Sequence, residues 1–166
     1  GRNQLDIRSE GELLNYLADL RPSMIVNAAA YTRVDEAETD SESAHEVNER
    51  AVKNLANWCK GNYGRLIHIS TDFVFDGHSS HPYSIDSPTN PLSVYGSSKR
   101  AGEKHVTNLL PSSGLVIRTS WLYSEHGQNF VKTMLRLFST GRDVKVINDQ
   151  IGSPTSAHSL SLFILR

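Results

Sequence analysis

The sequence has few of the features that mark disulfide-bonded, membrane-spanning or nucleic-acid-binding proteins. Its 166 residues include one cysteine, Cys59, which excludes an internal disulfide and indicates a reducing compartment. The 17 Lys and Arg are balanced by 18 Asp and Glu, so the chain lacks the basic field of a nucleic-acid-binding protein. Apolar runs are short, as at residues 115–117, whereas a membrane-spanning helix needs roughly 20 residues. We therefore expect a cytoplasmic protein without a signal peptide, and neither nucleic acid nor membrane as a partner.

Metal and serine-hydrolase sites are also not indicated. His78 and His81 lie in a stretch rich in Ser and Pro, without a carboxylate or cysteine at ligand spacing, so we expect no metal site. The chain has no Gly-x-Ser-x-Gly pattern, which leaves serine hydrolysis unsupported.

Strand-like and helix-like segments alternate along the chain. Continuous apolar runs predict strands at residues 24–29, 65–71, 115–120 and 144–147. Apolar side chains at helical spacing predict helices at residues 12–20, 41–60, 94–109, 129–139 and 157–165. This alternation predicts an α/β fold with a doubly wound parallel sheet and helices on both faces. In such sheets ligands bind beyond the carboxyl ends of the strands, which here are followed by residues 27–32, 70–76 and 120–123.

Residues 72–91 contain several prolines and no periodic pattern, which predicts a long loop. A loop of this length inside one domain is uncommon and is often functional.

Tyr95 and Lys99 lie four residues apart on the helix predicted after this loop, so both face the same side. An ammonium beside a phenol favours the phenolate, so we expect Lys99 to lower the pKa of Tyr95. Such a pair suits acid–base chemistry at a carbonyl or alcohol. The spacing alone also fits a packed tyrosine and a solvated lysine, but the hydroxyls of Ser70 and Thr71 end a predicted strand just before the loop.

A hydroxyl, a tyrosine and a lysine in this order resemble the short-chain dehydrogenase/reductase superfamily, in particular its extended branch that modifies nucleotide sugars. Six blocks narrow the resemblance to the family of dTDP-4-dehydrorhamnose reductases. They are spread over nearly the whole chain, in family order, and comprise residues 27–35 (NAAAYTRVD), 70–77 (STDFVFDG), 91–99 (PLSVYGSSK), 118–123 (RTSWLY), 129–137 (NFVKTMLRL) and 149–155 (DQIGSPT).

The resemblance implies a role for specific residues. The catalytic hydroxyl, the general acid and its helper would be Thr71, Tyr95 and Lys99. The cofactor would contact Tyr95, Lys99 and the residues that match its adenine and turn segments, namely Asp6, Ile7, Ala29, Ala30, Tyr31 and Thr32. The substrate would contact Thr71, Asp72 and Trp121, with a core position as the less favoured alternative for Trp121.

The resemblance further implies a Rossmann-like reductase that uses NADPH or NADH. It would reduce the 4-keto group of dTDP-4-dehydro-6-deoxy-L-mannose to give dTDP-L-rhamnose, with the dTDP-sugar as its partner and a homodimer as its assembly. Two alternatives stay open. One is another nucleotide-sugar epimerase, dehydratase or reductase, although Phe73 after Asp72 disfavours a dehydratase. The other is a non-catalytic subunit of the same fold, like the methionine adenosyltransferase regulatory subunit.

The sequence departs from the family pattern in two respects. Phe73 stands where relatives commonly have tyrosine, which removes a hydroxyl near the substrate. The chain also has no Gly-x-x-Gly-x-x-Gly pattern before its first crossover. We therefore expect residues 1–166 to be a partial NAD(P)-binding domain, without the first βα unit and most of the C-terminal substrate domain, and with residues 121–166 leading into the substrate-binding part.

Overall fold

The computed structural model describes residues 5–141 and 143–166. The chain divides into two compact units, residues 1–118 and 119–166, and each is described by itself below.

The first unit is organised around a three-stranded sheet in the order β1-β2-β3. Its strands are β1 (Met24–Asn27), β2 (Arg65–Thr71) and β3 (Gly114–Thr119). β1 and β2 pair in parallel, from Met24 opposite Arg65 to Asn27 opposite His68. β2 is the central strand and is buried along most of its length, as is usual for a strand covered on both faces. The predicted α/β fold with a parallel sheet is confirmed.

Helices of the first unit cover this sheet. They are α1 (Glu10–Leu20), α2 (Val34–Ala37), α3 (Ser41–His45), α4 (Ala51–Gly61) and α5 (Val94–Leu109). On α4 the apolar positions 52, 55, 56 and 59 recur at helical spacing and therefore form one buried stripe. The main core combines side chains from α1, α4, β2 and the end of α5, namely Leu13, Leu17, Val52, Leu55, Ala56, Trp58, Cys59, Leu66, Val106 and Leu110.

The single helix predicted over residues 41–60 is interrupted by a π-helical turn, Glu46–Arg50, between α3 and α4. A π turn accommodates more residues per turn than an α-helix, and such turns are frequent at functional sites. Within this turn Asn48 is fully buried, and its side chain hydrogen-bonds to the backbone of Tyr31 instead of facing solvent. The interruption therefore accompanies a tertiary contact that helical periodicity does not reveal.

α5 packs directly against the backbone of two other segments. A Cβ atom at Gly96 would overlap the carbonyl oxygen of Phe73, which lies in a 3-10 turn (Asp72–Val74) that follows β2. A Cβ atom at Gly102 would overlap the carbonyl oxygen of Asn48 in the π turn. The helix starts at Ser93, whose hydroxyl accepts a hydrogen bond from the Gly96 amide at 3.0 Å, as a good N-cap residue does. The absence of side chains at these two positions sets how closely α5 approaches the site.

The second unit contains two short strands and two helices. They are β4 (Leu122–Tyr123), α6 (Phe130–Phe138), β5 (Thr155–Ser156) and α7 (Ala157–Ile164). β4 and β5 pair in parallel, with Leu122 opposite Thr155. The side chains of Asn129 and Ser156 cap the two helices by accepting hydrogen bonds from backbone amides.

The strand predicted at residues 144–147 is wrong. The backbone there is irregular, and the side chains of Val146 and Ile147 are 51% and 69% exposed. A strand needs a partner for its backbone hydrogen bonds, and in the described part of the second unit the pairing is made by residues 122–123 and 155–156 instead. In residues 5–141 and 143–166, no helix has the length and apolar character that crossing a membrane requires.

We expect Gly102→Ala to lower the free energy of unfolding by about 1–3 kcal/mol, because the new methyl group meets a backbone carbonyl that cannot move away without displacing the π turn. The measurement is urea unfolding. Gly11→Ala in α1 is the matched control, since a Cβ there meets nothing within 4 Å. Alanine in a helix should make that control neutral or up to ~1 kcal/mol more stable. Equal stabilities of the two variants would contradict the close packing of α5.

Candidate active site

Thr71 is the last residue of β2, at the carboxyl edge of the sheet. Its hydroxyl accepts a hydrogen bond from the Phe73 amide at 3.2 Å and so caps the 3-10 turn, Asp72–Val74. The same hydroxyl donates to the Asp72 carboxylate at 3.1 Å. A threonine placed where a strand gives way to a helical turn satisfies an otherwise unpaired amide, which explains why the chain turns here.

Tyr95 lies in the first turn of α5 and faces Thr71. The phenol lies near the Thr71 hydroxyl, which acts to lower the pKa of Tyr95. The ring of Phe73 packs edge-on against the Tyr95 ring, with 5.6 Å between centroids and 74° between planes. The structure thus brings together two of the three residues that the sequence predicts to be catalytic.

The pKa of Tyr95 is raised above its usual value, mainly because the phenol is buried. The Thr71 hydroxyl acts in the opposite direction, and the Asp72 carboxylate adds to the increase. The expectation that Lys99 lowers this pKa is wrong for this structure, because the Lys99 ammonium is directed to a backbone carbonyl. A phenol that stays protonated at neutral pH can act as a proton donor.

Lys99 lies one helical turn after Tyr95 and is 2% exposed. Its ammonium donates a hydrogen bond to the Ile69 carbonyl of β2 at 2.6 Å. Burial lowers the pKa of Lys99 from 10.5 to about 8, although the nearby Glu103 carboxylate favours the charged form. An ammonium has three donors, so this hydrogen bond leaves Lys99 with capacity for a ligand hydroxyl.

The turn after β1 carries four predicted cofactor residues and is held by buried asparagines. Asn27 accepts a hydrogen bond from the Ala29 amide at 3.1 Å. Asn48 accepts one from the Tyr31 amide at 2.9 Å and donates to the Tyr31 carbonyl at 3.1 Å. It also donates to the Ser98 hydroxyl at 3.0 Å, on the face of α5 that carries the candidate site. Asn48 therefore connects the turn to α5.

The backbone places the remaining turn residues where a ligand could reach them. Ala29 and Thr32 are exposed, and Ala30 is half-buried. Small side chains leave the backbone of such a turn open to a dinucleotide. The cofactor role of these residues and of Tyr31 stays a prediction.

Sequence reasoning missed the roles of Asn48 and His68. Asn48 occupies an inward position of the amphipathic stripe on residues 41–60, and a polar residue at such a position is the signal that could have identified it. His68 is fully buried in β2, and its Nδ1 lies 3.1 Å from the Asn27 side-chain nitrogen. Burial and the Lys99 charge lower the pKa of His68 to about 3, so the imidazole is neutral and accepts this hydrogen bond.

Asp6 and Ile7 lie just before α1, where the structure gives them contacts within the chain. The Asp6 carboxylate accepts hydrogen bonds from the Arg8 guanidinium, the shortest at 2.6 Å. Ile7 packs against the main core. Their predicted contact with the adenine therefore stays a prediction.

Trp121 belongs to the second unit and is 47% exposed. Its backbone has a φ of 45°, in the left-handed region that is unusual for a bulky residue. The indole lies against Gly152, where a Cβ atom would be 3.1 Å from the ring. The ring is thus partly supported by backbone and partly open to solvent, and its substrate role stays a prediction.

Comparison with known proteins agrees with this arrangement. A family model described as the RmlD substrate binding domain matches residues 1–166. The chain belongs to this family. It is 44% identical over 155 residues to a dTDP-4-dehydrorhamnose reductase of Streptomyces griseus, a match that covers 93% of this chain and 51% of that protein. A dTDP-4-dehydrorhamnose reductase of Sinorhizobium fredii is 43% identical, with 99% of this chain and 55% of that protein covered.

Solved structures with the same fold support the family membership. A dTDP-4-dehydrorhamnose reductase of Clostridium acetobutylicum superimposes with a TM-score of 0.93 at 37% identity, covering 98% of this chain and 57% of that one. The corresponding protein of Bacillus anthracis, in complex with NADP, gives a TM-score of 0.92 at 38% identity, with coverages of 97% and 57%. The resemblance predicted from the sequence is confirmed. The chain spans about half the length of the curated relatives it matches.

The buried Lys99 predicts a specific pH dependence of stability. Its pKa is about 8 in the folded protein and 10.5 as a free side chain, so between these values the unfolded chain binds more protons. The contribution of Lys99 to the free energy of unfolding should therefore rise with pH across this window, by about 3 kcal/mol in full and by about 2 kcal/mol between about pH 7 and about pH 9.5.

The measurement is denaturant unfolding at about pH 7 and about pH 9.5. We expect Lys99→Met to lose this rise, whereas Lys104→Met, an exposed lysine on the same helix, should keep it. An unchanged pH dependence in Lys99→Met would contradict the lowered pKa.

Proposed function

We propose that this chain carries the acid–base centre of a reductase that uses NADPH or NADH. The reaction is reduction of the 4-keto group of dTDP-4-dehydro-6-deoxy-L-mannose to dTDP-L-rhamnose. The observation that carries the proposal is the position of the Tyr95 phenol beside the Thr71 hydroxyl at the carboxyl edge of the sheet, with Lys99 one helical turn later on α5. Relatives named dTDP-4-dehydrorhamnose reductase support the substrate class, and the NADP complex of the Bacillus anthracis protein supports the cofactor.

The residues present fit a nicotinamide dinucleotide. Lys99 has donors for a ribose hydroxyl beyond its hydrogen bond to Ile69. The turn after β1 presents small or exposed side chains and is fixed by Asn27 and Asn48. When bound, the reduced nicotinamide supplies the hydride that adds to C4 of the sugar.

Thr71 and Tyr95 would bind and protonate the oxygen of the reacting carbonyl. Hydride addition at C4 breaks the C=O π bond and leaves negative charge on the oxygen. The Tyr95 phenol donates its proton to this oxygen, which completes the alcohol, and the Thr71 hydroxyl orients the oxygen by a hydrogen bond. The raised pKa of Tyr95 keeps the phenol protonated before the reaction. Lys99 would serve the reaction as a hydrogen-bond donor to the cofactor ribose, because its ammonium is directed to the Ile69 carbonyl.

Residues 121–166 would lead into the substrate-binding part, with Trp121 and Asp72 as contacts to the sugar nucleotide. Asp72 supplies a half-buried carboxylate beside Thr71, and burial raises its pKa. Trp121 supplies a flat apolar surface that can stack on a base or sugar. A homodimer and a cytoplasmic location remain predictions.

Tyr95→Phe tests the proposed acid. In a reductase of the relatives' full length that contains this chain, we expect a loss of roughly 10²–10⁴-fold in turnover, because the proton donor is missing. NADPH binding and thermal stability should change little, since the ring remains. Tyr16→Phe, at an exposed position of α1, is the control and should retain the wild-type rate. Near-normal turnover of Tyr95→Phe would remove Tyr95 from the mechanism, whereas absence of turnover in the wild-type protein would favour a non-catalytic subunit.

Trp121→Ala tests the placement of the substrate. Aromatic contacts contribute on the order of 0.5–1.5 kcal/mol beyond their buried area. In the same full-length enzyme we expect a higher KM for the sugar nucleotide and an unchanged KM for NADPH. The measurement is steady-state kinetics with both substrates varied, and Phe163→Ala, an exposed aromatic on α7, is the control. A change confined to the KM for NADPH would show that Trp121 lines a different pocket.

A further inference from the structure

Glu103 is a buried carboxylate that takes no part in the proposed proton transfer, although it favours the charged form of Lys99. It lies one helical turn after Lys99 on α5 and is 1% exposed. Its two oxygens accept hydrogen bonds from Arg118 Nε at 2.9 Å and Arg118 Nη2 at 2.8 Å. One of them also accepts from Arg100 Nη1 at 3.0 Å. One carboxylate therefore joins α5 to the end of β3.

Both arginines that bind Glu103 also contact the long loop that the sequence predicts to be functional. The Arg118 guanidinium lies over the Phe75 ring, 5.0 Å from its centroid. Phe75 in turn stacks on Tyr83, with 4.2 Å between centroids and 5° between planes. Arg100 Nε donates a hydrogen bond to the Thr89 hydroxyl at 2.7 Å. Glu103 is thus connected to residues 75–90, which we call the anchored loop, at both of its ends.

Hydrogen bonds to Asp76 hold the parts of the anchored loop together. The Asp76 carboxylate accepts hydrogen bonds from the Tyr83 hydroxyl at 2.8 Å, the His78 amide at 3.1 Å and the Asn90 side chain at 3.3 Å. Because these contacts join the start, the middle and the end of the loop, it can act as one body. A displacement at Phe75 or Thr89 would therefore be transmitted along it.

The start of the anchored loop is continuous with the candidate active site. Phe75 directly follows the 3-10 turn, and within that turn Asp72 contacts Thr71 while Phe73 packs on Tyr95. Any movement of Phe75 is thus passed within three residues to the groups that surround the phenol.

We propose that Glu103 is a positioning residue that couples the anchored loop to α5 and thereby holds Thr71 and the 3-10 turn against Tyr95. The proposal rests on the proposed function for its effect on catalysis. Its mechanism is electrostatic and geometric. The carboxylate orients both guanidinium groups, and without it the two positive charges repel each other and turn towards solvent.

The experiment compares Glu103→Gln with Glu42→Gln in the full-length enzyme. Glu42→Gln is the matched control, because it removes a carboxylate from an exposed pair with Arg50. Amide hydrogen exchange over residues 75–90 is the first readout and needs no substrate. We expect exchange there to be faster by about tenfold or more in Glu103→Gln, and unchanged in the control. An unchanged rate over residues 75–90 would overturn the coupling.

Kinetics separate positioning from a purely structural role. We expect kcat of Glu103→Gln to fall about 10- to 100-fold, since small displacements of reacting groups are costly in rate. The KM for NADPH should stay within about twofold of wild type when it is measured at about pH 6, where Lys99 stays charged without Glu103. A folded variant with lower thermal stability but wild-type kcat would show that Glu103 is structural only, and would overturn the proposal.

Two milder variants keep the test decisive if Glu103→Gln does not fold. Thr89→Val removes only the hydrogen bond from Arg100, and Phe75→Leu removes the ring under Arg118 together with its stacking on Tyr83. Each variant should speed exchange over residues 75–90 and lower kcat. If neither variant changes exchange or kcat, the proposal is overturned. If the wild-type enzyme does not reduce the dTDP-4-keto sugar, the proposed function fails, while hydrogen exchange still decides whether Glu103 holds the loop.

Discussion

The close approach of α5 to two backbone carbonyls is the constraint on which the candidate site depends. Gly96 and Gly102 remove the side chains that would keep the helix away from the 3-10 turn and the π turn. Between these glycines α5 carries Ser98 and Lys99, and Tyr95 directly precedes Gly96. The distance of each functional group from β2 is therefore determined by how closely two backbones can pack.

This close packing buries polar groups, and each requires a partner. Lys99, Asn48 and Glu103 are almost inaccessible to solvent, and all three make hydrogen bonds to groups on other elements. A buried polar group without a partner would cost about 1–3 kcal/mol or more, so these contacts constrain how α5, β2 and the turn after β1 can be arranged. The stability of the fold and the geometry of the site thus depend on the same interactions.

Burial also sets the protonation states that the chemistry needs. It raises the pKa of Tyr95 and lowers that of Lys99 to about 8. At neutral pH the phenol is therefore protonated and the ammonium is largely charged. A protonated phenol suits reduction of a ketone, because the reduced oxygen must receive a proton.

Local patterns in the sequence determined much of the fold and identified the candidate catalytic residues. The helix over residues 94–109 and the strand over residues 65–71 were predicted with the bounds that the structure has, because apolar periodicity is a local property of the chain. Tertiary contacts decided the rest. The π turn around Asn48 depends on the backbone of Tyr31, and the pKa of Tyr95 depends on burial and on its neighbours Thr71 and Asp72. Such features arise between segments distant in sequence, so they become visible only when packing brings those segments together.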